Sequence, residues 1–332
     1  MPTQETSRAD RTLGKDLLRA ARTLAAGGAT GDTVLSVPGA GLPEDLAAGL
    51  DDIVRPPDPR VGHRVVKGLL RHDDPGPTPL HWRAADPSRG AVFDIALALV
   101  AARLGRVFGW RNQQEGRIVH NILPSPGQER LQVGASSVVP LAWHTEDAFH
   151  PQRADLLLLA CVRNPDDVGS RLSGATGAAL SAAEVEQLRR PLTVVLPDDS
   201  YSDQEAEGRP PVGVSTLWRR GGNALGIRYD PSYTRRLTGD PAFAAAYDRL
   251  GHALEENGRV VPLEPGDLLV IDNDAVVHGR LAFTPRYDGT DRWLKRVLVR
   301  SPRPRPAGER HEHGYGQEQV DAQEQVGTAR QG

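Results

Sequence analysis

Cysteine and methionine each occur once in the 332 residues, and Phe, Tyr and Trp together make up 5 %. The lone thiol, Cys161, cannot close an internal disulfide, so the fold must rest on its core and a reducing compartment is the expected setting. A buried apolar role is expected of it. Charge of one sign is also lacking: net charge −3 and pI near 6.4 leave no polybasic footprint for nucleic acid or an anionic membrane. No long hydrophobic run is present. The longest near the middle, residues 91–104, is too short and too interrupted to span a bilayer. Residues 2–11 are polar and charged, which argues against a signal peptide, so a soluble, cytoplasmic protein is expected. What the chain does hold is 35 Gly and 27 Pro, hence many turns, with 39 % apolar residues to build a core. The length allows one large domain or two ordinary ones.

Apolar spacing predicts helices over 13–26, 43–53, 90–104, 178–189 and 240–257, the third capped by Asp86-Pro87-Ser88 and wide enough in its apolar face to be buried against a sheet. A strand is expected within 61–70. From Gly105 the pattern turns to short β-rich runs at 117–123, 138–144, 154–162, 192–196, 224–229, 259–262, 267–272 and 293–299. Such strands behind a helical N-terminal part predict a helix-buttressed antiparallel sandwich or jelly roll. Residues 1–11 are expected to be disordered, 12–300 to form one domain, and 301–332 to be a disordered tail. The acidic, Pro- and Gly-rich stretch 198–215 has little to bury and reads as a mobile loop.

One stretch stands out: Trp143-His144-Thr145-Glu146-Asp147-Ala148-Phe149-His150-Pro151. Side chains two apart on an extended strand share a face, so His144 and Glu146 can aim at one point. His278, after the apolar run 268–272, is the candidate for a third ligand. Two His and one carboxylate with open positions suit non-haem Fe(II). An isolated H-x-E is a weak signal, so the neighbours matter. On an extended strand Arg292, Leu294 and Arg296 would share a face, and two arginines in one cavity would call for carboxylates. Asp147 points away from the ligand face by alternation and reads as a supporting group. His150 reads as structural, His120 as a strand residue and His252 as a helix-surface residue. His311-Glu312-His313 repeats the motif spacing in the tail without apolar neighbours. Ser136 and Ser137 lack a nucleophile-elbow context and read as a turn or as lining of a substrate site.

These residues, with Asn112-Gln113-Gln114-Glu115-Gly116-Arg117-Ile118-Val119, residues 159–166 and the run 271–294, make the chain resemble the clavaminate synthase-like Fe(II)/2-oxoglutarate dioxygenases. The similarity is closest to bacterial free-amino-acid β-hydroxylases acting on arginine or asparagine, and it spans roughly residues 85–300. It implies the double-stranded β-helix fold and dependence on Fe(II), 2-oxoglutarate and O2. His144, Glu146 and His278 would form the iron triad. Arg292, assisted by Ser170, would meet the distal carboxylate of 2-oxoglutarate. Arg296 would hold the substrate α-carboxylate, Gln113 and Glu146 its α-amine, and Asp230 its side-chain head. Ser170 sits in a segment, 167–175, that departs from relatives. Where arginine-binding relatives carry a second acid two residues after the Asp230 position, this chain has Ser232.

The expected reaction is hydroxylation of a free L-amino acid with a polar or basic side chain, arginine-like first, at the β- or γ-carbon, in natural-product (antibiotic) biosynthesis. Segment 198–215 would then be a lid. Asparagine, lysine, ornithine or a cyclic amino acid, and desaturation or ring closure, stay open at this point. So do a carrier-bound substrate and the oligomeric state. A zinc hydrolase with the same three donors, or a cupin-like binding module, is the competing class; the two arginines argue against both. Glu146 fills the place a halogenase leaves to halide. No nucleic-acid or membrane partner is expected.

Overall fold

The computed structural model describes residues 5–71, 74–198, 201, 212–306, 308–309, 312 and 314–322. Strand β1 (Glu5–Arg8) leads to α1 (Arg11–Ala26), α2 (Glu44–Ile53), β2 (His63–Lys67) and α3 (Pro87–Ala102). Then come β3 (Arg106–Trp110), β4 (His120–Ile122), β5 (Leu141–His144), β6 (Leu156–Arg163) and β7 (Ser170–Gly174). An excursion follows: α4 (Ala182–Leu188), β8 (Thr193–Val195), β9 (Leu217–Arg219), β10 (Leu225–Ile227), β11 (Thr234–Arg236) and α5 (Pro241–Glu256). The chain returns through β12 (Arg259–Val261), β13 (Leu268–Asp272), β14 (Val276–Arg280), β15 (Trp293–Arg300) and β16 (Gln319–Asp321).

Two sheets face each other, as a jelly roll requires. The larger runs β1-β2-β13-β6-β15-β3-β16, with β4 also pairing β15; the smaller runs β12-β7-β14-β5. Between them pack Leu157, Leu159, Cys161, Leu172, Leu269, Ile271 and Val276. Cys161 is fully buried there, and burial pushes its thiol up to about 12, as suits an inert apolar filler. The helical part covers the outer face of the large sheet. Asp86 caps α3 by accepting from Ser88 N, Pro87 opens it, and its buried face packs on α1 and β15. No helix among the described residues is long and apolar enough to cross a membrane.

Both ends depart from expectation. Residues 5–8 are not disordered but pair in parallel with β2. The tail from 301 is ordered wherever it is described. Arg303 donates to Asp155 and Asp272, Glu309 to Arg153 is a 2.9 Å ion pair, and Glu312 takes both terminal nitrogens of Arg228 at 2.6 and 2.7 Å. β16 then adds an edge strand to β3. A Pro- and Arg-rich tail has no apolar period to read; its order comes from counter-ions buried elsewhere in the chain. His311 and His313 lie outside the described residues, as do 199–200 and 202–211 of the expected lid.

Candidate active site

β14 is buried along its whole length, and His278 at its centre pairs across to His144 at the end of β5. The register shifts between His278 and Arg280, where β5 carries one residue more than β14. Such a bulge re-aims side chains beside it. Gly279 is what allows the close approach: a Cβ there would lie 2.6 Å from Leu141 O and 3.2 Å from Ala142 O. The two imidazole rings end with centroids 4.1 Å apart.

Glu146 reaches the same point by a route the alternation argument did not foresee. β5 stops at His144, and Asp147 turns the chain with φ of 49°. Glu146 is placed instead by Asn273, which is fully buried just past β13. Asn273 Oδ1 accepts from Glu146 N at 2.8 Å, while its Nδ2 donates to Glu146 O and to Ala154 O, both at 3.0 Å. Sequence reading passed over Asn273, because nothing local shows which distant backbone an amide will hold.

His144, Glu146 and His278 thereby bring their donor atoms within 4.8 Å of one another, and among the described residues no other His, Cys, Asp or Glu cluster does so. Glu146 Oε2 lies 3.2 Å from His278 Nε2 and 3.9 Å from His144 Nε2. His144 Nδ1 is 2.9 Å from Ala142 O, a bond that leaves Nε2 as the lone pair. Burial, then the neighbouring His278, lowers the His144 pKa and so keeps it neutral. Burial alone would raise the Glu146 carboxyl, but the Arg296 guanidinium and the two imidazoles overcome it and hold the group well below the usual range. Two imidazoles and an ionised carboxylate on one side of a point fit ferrous iron with positions left open.

Around this cluster lies a cavity of about 310 Å³ whose wall includes Gln113, Ser170, Asp198, Asp230, Arg280, Arg292 and Arg296. Arg296 projects from β15 and bonds Glu146, Gln113 Oε1 (2.5 Å) and His120 Nδ1 (2.7 Å). His120 is fully buried, and burial followed by the charge of Arg296 takes it down to about 3; neutral, it donates from Nε2 to Arg117 O and accepts from Arg296. It was expected to be a plain strand residue, and only the β4–β15 pairing reveals it beside Arg296. Arg292 is 6 % exposed and makes no ion pair among the described residues. It donates to Val168 O and to Ser170 Oγ, each at 3.3 Å, and burial lowers it to about 10. Arg280 is equally buried, and burial, then the charge of Arg292, takes it to about 9.

Asp230 follows β10 and accepts from Ser232 N at 3.1 Å. Burial raises it to about 6, with His144 opposing and the charge of Asp198 adding to the rise. Asp198 is thus a second cavity acid that sequence reading saw only as the start of a loop. Asp147 also borders the cavity but lies outside the three-donor cluster: Trp110 Nε1 donates to it at 2.7 Å and Tyr201 OH at 2.5 Å, while burial, then Glu146, raises it to about 7. His150 accepts from Gln152 N at 3.0 Å, outside the three-donor cluster. Ser136 Oγ accepts from Arg280, so Ser136 acts inside the fold.

A jelly roll with this donor set defines a non-haem iron oxygenase. The chain matches the taurine catabolism dioxygenase TauD, TfdA family over residues 91–298 and belongs to it. It is 36 % identical over 284 residues to the L-ornithine/L-arginine 3-hydroxylase of Catenulispora acidiphila, covering 78 % of this chain and 82 % of that one. It is 36 % identical over 263 residues to the enduracididine beta-hydroxylase of Streptomyces hygroscopicus, covering 72 % and 77 %. The structure of the non-heme iron oxygenase OrfP in complex with Fe and alpha-ketoglutaric acid superposes with a TM-score of 0.78 at 35 % identity, over 90 % of this chain and 94 % of that one. Fold, donor set and family together make the chain an Fe(II)/2-oxoglutarate-dependent dioxygenase.

Proposed function

We propose that the chain hydroxylates a free L-amino acid with a cationic side chain, arginine or ornithine in type, at the β- or γ-carbon. The observation that carries this reading is one cavity lined by the three metal donors, by Arg292, which has no ion pair among the described residues, and by two mutually interacting acids, Asp198 and Asp230. Two carboxylates suit a guanidinium or ammonium better than a carboxamide, and Asp198 supplies the second acid that Ser232 does not. The ornithine/arginine hydroxylase among the relatives supports the same head group.

Iron with 2-oxoglutarate and dioxygen supplies the oxidant for an unactivated C–H bond; the protein binds, orients and keeps water out. His144, Glu146 and His278 would hold the metal. Arg296 takes the Glu146 oxygen turned from the imidazoles, keeping the group ionised. Arg292, with Ser170, would grip the distal carboxylate of 2-oxoglutarate. Arg296 and Gln113 would meet the amino acid's carboxylate and amine, and Asp230 its head, leaving the middle carbons toward the metal. We place the reaction in the cytoplasm, in natural-product biosynthesis.

Incubation of L-Arg, L-Orn, L-Lys and L-Asn with Fe(II), ascorbate and 2-oxoglutarate should add one oxygen to Arg or Orn by mass. Asp230→Ala should abolish that product while 2-oxoglutarate is still consumed. Coupled product formed at the unaltered rate would remove Asp230 from head-group recognition.

A further inference from the structure

Arg280 follows His278 by two residues on β14, so both project to the same face. It lies directly opposite Ser170 on β7, whose hydroxyl accepts from Arg292. Two buried guanidinium groups therefore share the Ser170 wall of the cavity. The other two buried arginines among the described residues meet acids: Arg153 meets Asp274 and Glu309, and Arg228 meets Glu309 and Glu312; the half-buried Arg296 in the same cavity meets Glu146. Arg280 and Arg292 make no ion pair among the described residues.

The hydrogen bonds of Arg280 are nearly complete, but its charge is not answered. Nη1 donates to Ser137 O (3.1 Å) and Leu281 O (3.3 Å), Nη2 to Ser136 Oγ (2.8 Å) and Val139 O (3.2 Å). All four acceptors are neutral. Nε is buried without a partner. Burying one cation without an acid is costly, and burying two beside each other is costlier still. A wall so built favours a ligand bearing negative charge, which neutral acceptors cannot replace.

Resting on the reading that Arg292 takes the distal carboxylate of 2-oxoglutarate, we propose that Arg280 is a second cation of that subsite, setting the preference for a dianionic over a monoanionic 2-oxo acid. It acts through its charge across the shared wall, while three of its four terminal bonds hold segment 136–139 against β14.

The test is equilibrium binding to the Mn(II)-loaded protein, which reads affinity without turnover. 2-Oxoglutarate is compared with 2-oxopentanoate, which keeps the 2-oxo acid head and lacks the distal carboxylate. Arg280→Gln should weaken 2-oxoglutarate roughly tenfold and leave 2-oxopentanoate within about twofold. Arg280→Lys, keeping charge but not the fork, should retain the preference even where its thermal unfolding midpoint falls; Arg280→Met, a second neutral variant, should weaken the preference as Gln does and decides the matter if the Gln variant does not fold. Equal weakening of both acids by Arg280→Gln, an intact preference in it, or a lost preference in a folded Lys variant would overturn the role. Arg292→Met separates the two levels: if it leaves the preference intact, the underlying subsite assignment is wrong, whatever Arg280 does.

Discussion

Asn273 offers a perturbation that separates folding from metal binding. Its side chain makes three hydrogen bonds, two to the backbone of Glu146 and one to Ala154 O, in a fully buried setting. Asn273→Ala would strand the Glu146 N–H, the Glu146 carbonyl and the Ala154 carbonyl. An unsatisfied buried group costs about 1 to 3 kcal/mol, and partial relaxation should bring the total to roughly 3 kcal/mol. The same bonds fix where the Glu146 carboxylate stands relative to the imidazoles. Loss of a partner that orients a ligand typically weakens a metal about 10- to 100-fold. Urea unfolding of the metal-free protein measures the first effect, and titration of the folded variant with Mn(II) or Co(II) the second. A variant destabilised as expected that still binds metal with undiminished affinity would refute the idea that Asn273 positions Glu146. Asn273→Asp keeps the acceptor for Glu146 N and sets a carboxylate oxygen against two carbonyls, so it should fall short of wild type in both assays.

Two further outcomes follow from buried charge. Glu309→Ala removes one of two acids from the fully buried Arg153 and should cost about 3 to 5 kcal/mol in urea unfolding, whereas the paired change Arg153→Met with Glu309→Met should recover most of it; a loss within experimental error for the single variant would contradict an ordered tail. His150 concerns pH. Burial, then Arg228, holds it down to about 3, while the unfolded imidazole titrates near 6.5. The folded state thus binds fewer protons, and stability present above pH 6.5 is lost as pH falls toward about 3. His150→Asn should flatten the slope of unfolding free energy between about pH 6 and about pH 4.5 by close to 1.4 kcal/mol per pH unit, and an unchanged slope would show that His150 is not buried neutral.

Much of this architecture could be read in the amino-acid order, for identifiable reasons. The helices announced themselves by cap and period: Asp86-Pro87 and Asp240-Pro241 each place an acceptor before a proline-started helix. β6, β13 and β15 were legible as apolar runs, and the donor triad as a motif with a distant histidine. Strands β7 and β14 were not singled out, since Ser170–Gly174 is polar in composition and Val276–Arg280, buried on both faces, shows no alternation. Glu146 was expected beside His144 by strand alternation, whereas a turn and an amide clamp bring it there. The roles of Asn273, His120, Asp198 and Arg280 escaped notice for one reason. Each matters through a partner far away in the chain, and pairing across a sheet leaves no local mark. The described part of the tail was misread because its composition is that of a solvated segment, whereas Arg303, Glu309 and Glu312 are counter-ions of buried charges.

That tail has a bearing on how the protein is made. The ribosome delivers the chain N-terminus first, so Arg153 and Arg228 leave it long before Glu309 and Glu312 have been translated. A nascent chain lacking those last acids would have to bury two guanidinium groups short of anions, and Arg228 also holds Ala148 O, two residues from Glu146. The nascent jelly roll can therefore collapse early, whereas the Arg228 that holds Ala148 O gains its counter-ions only after residues 309–312 have been made.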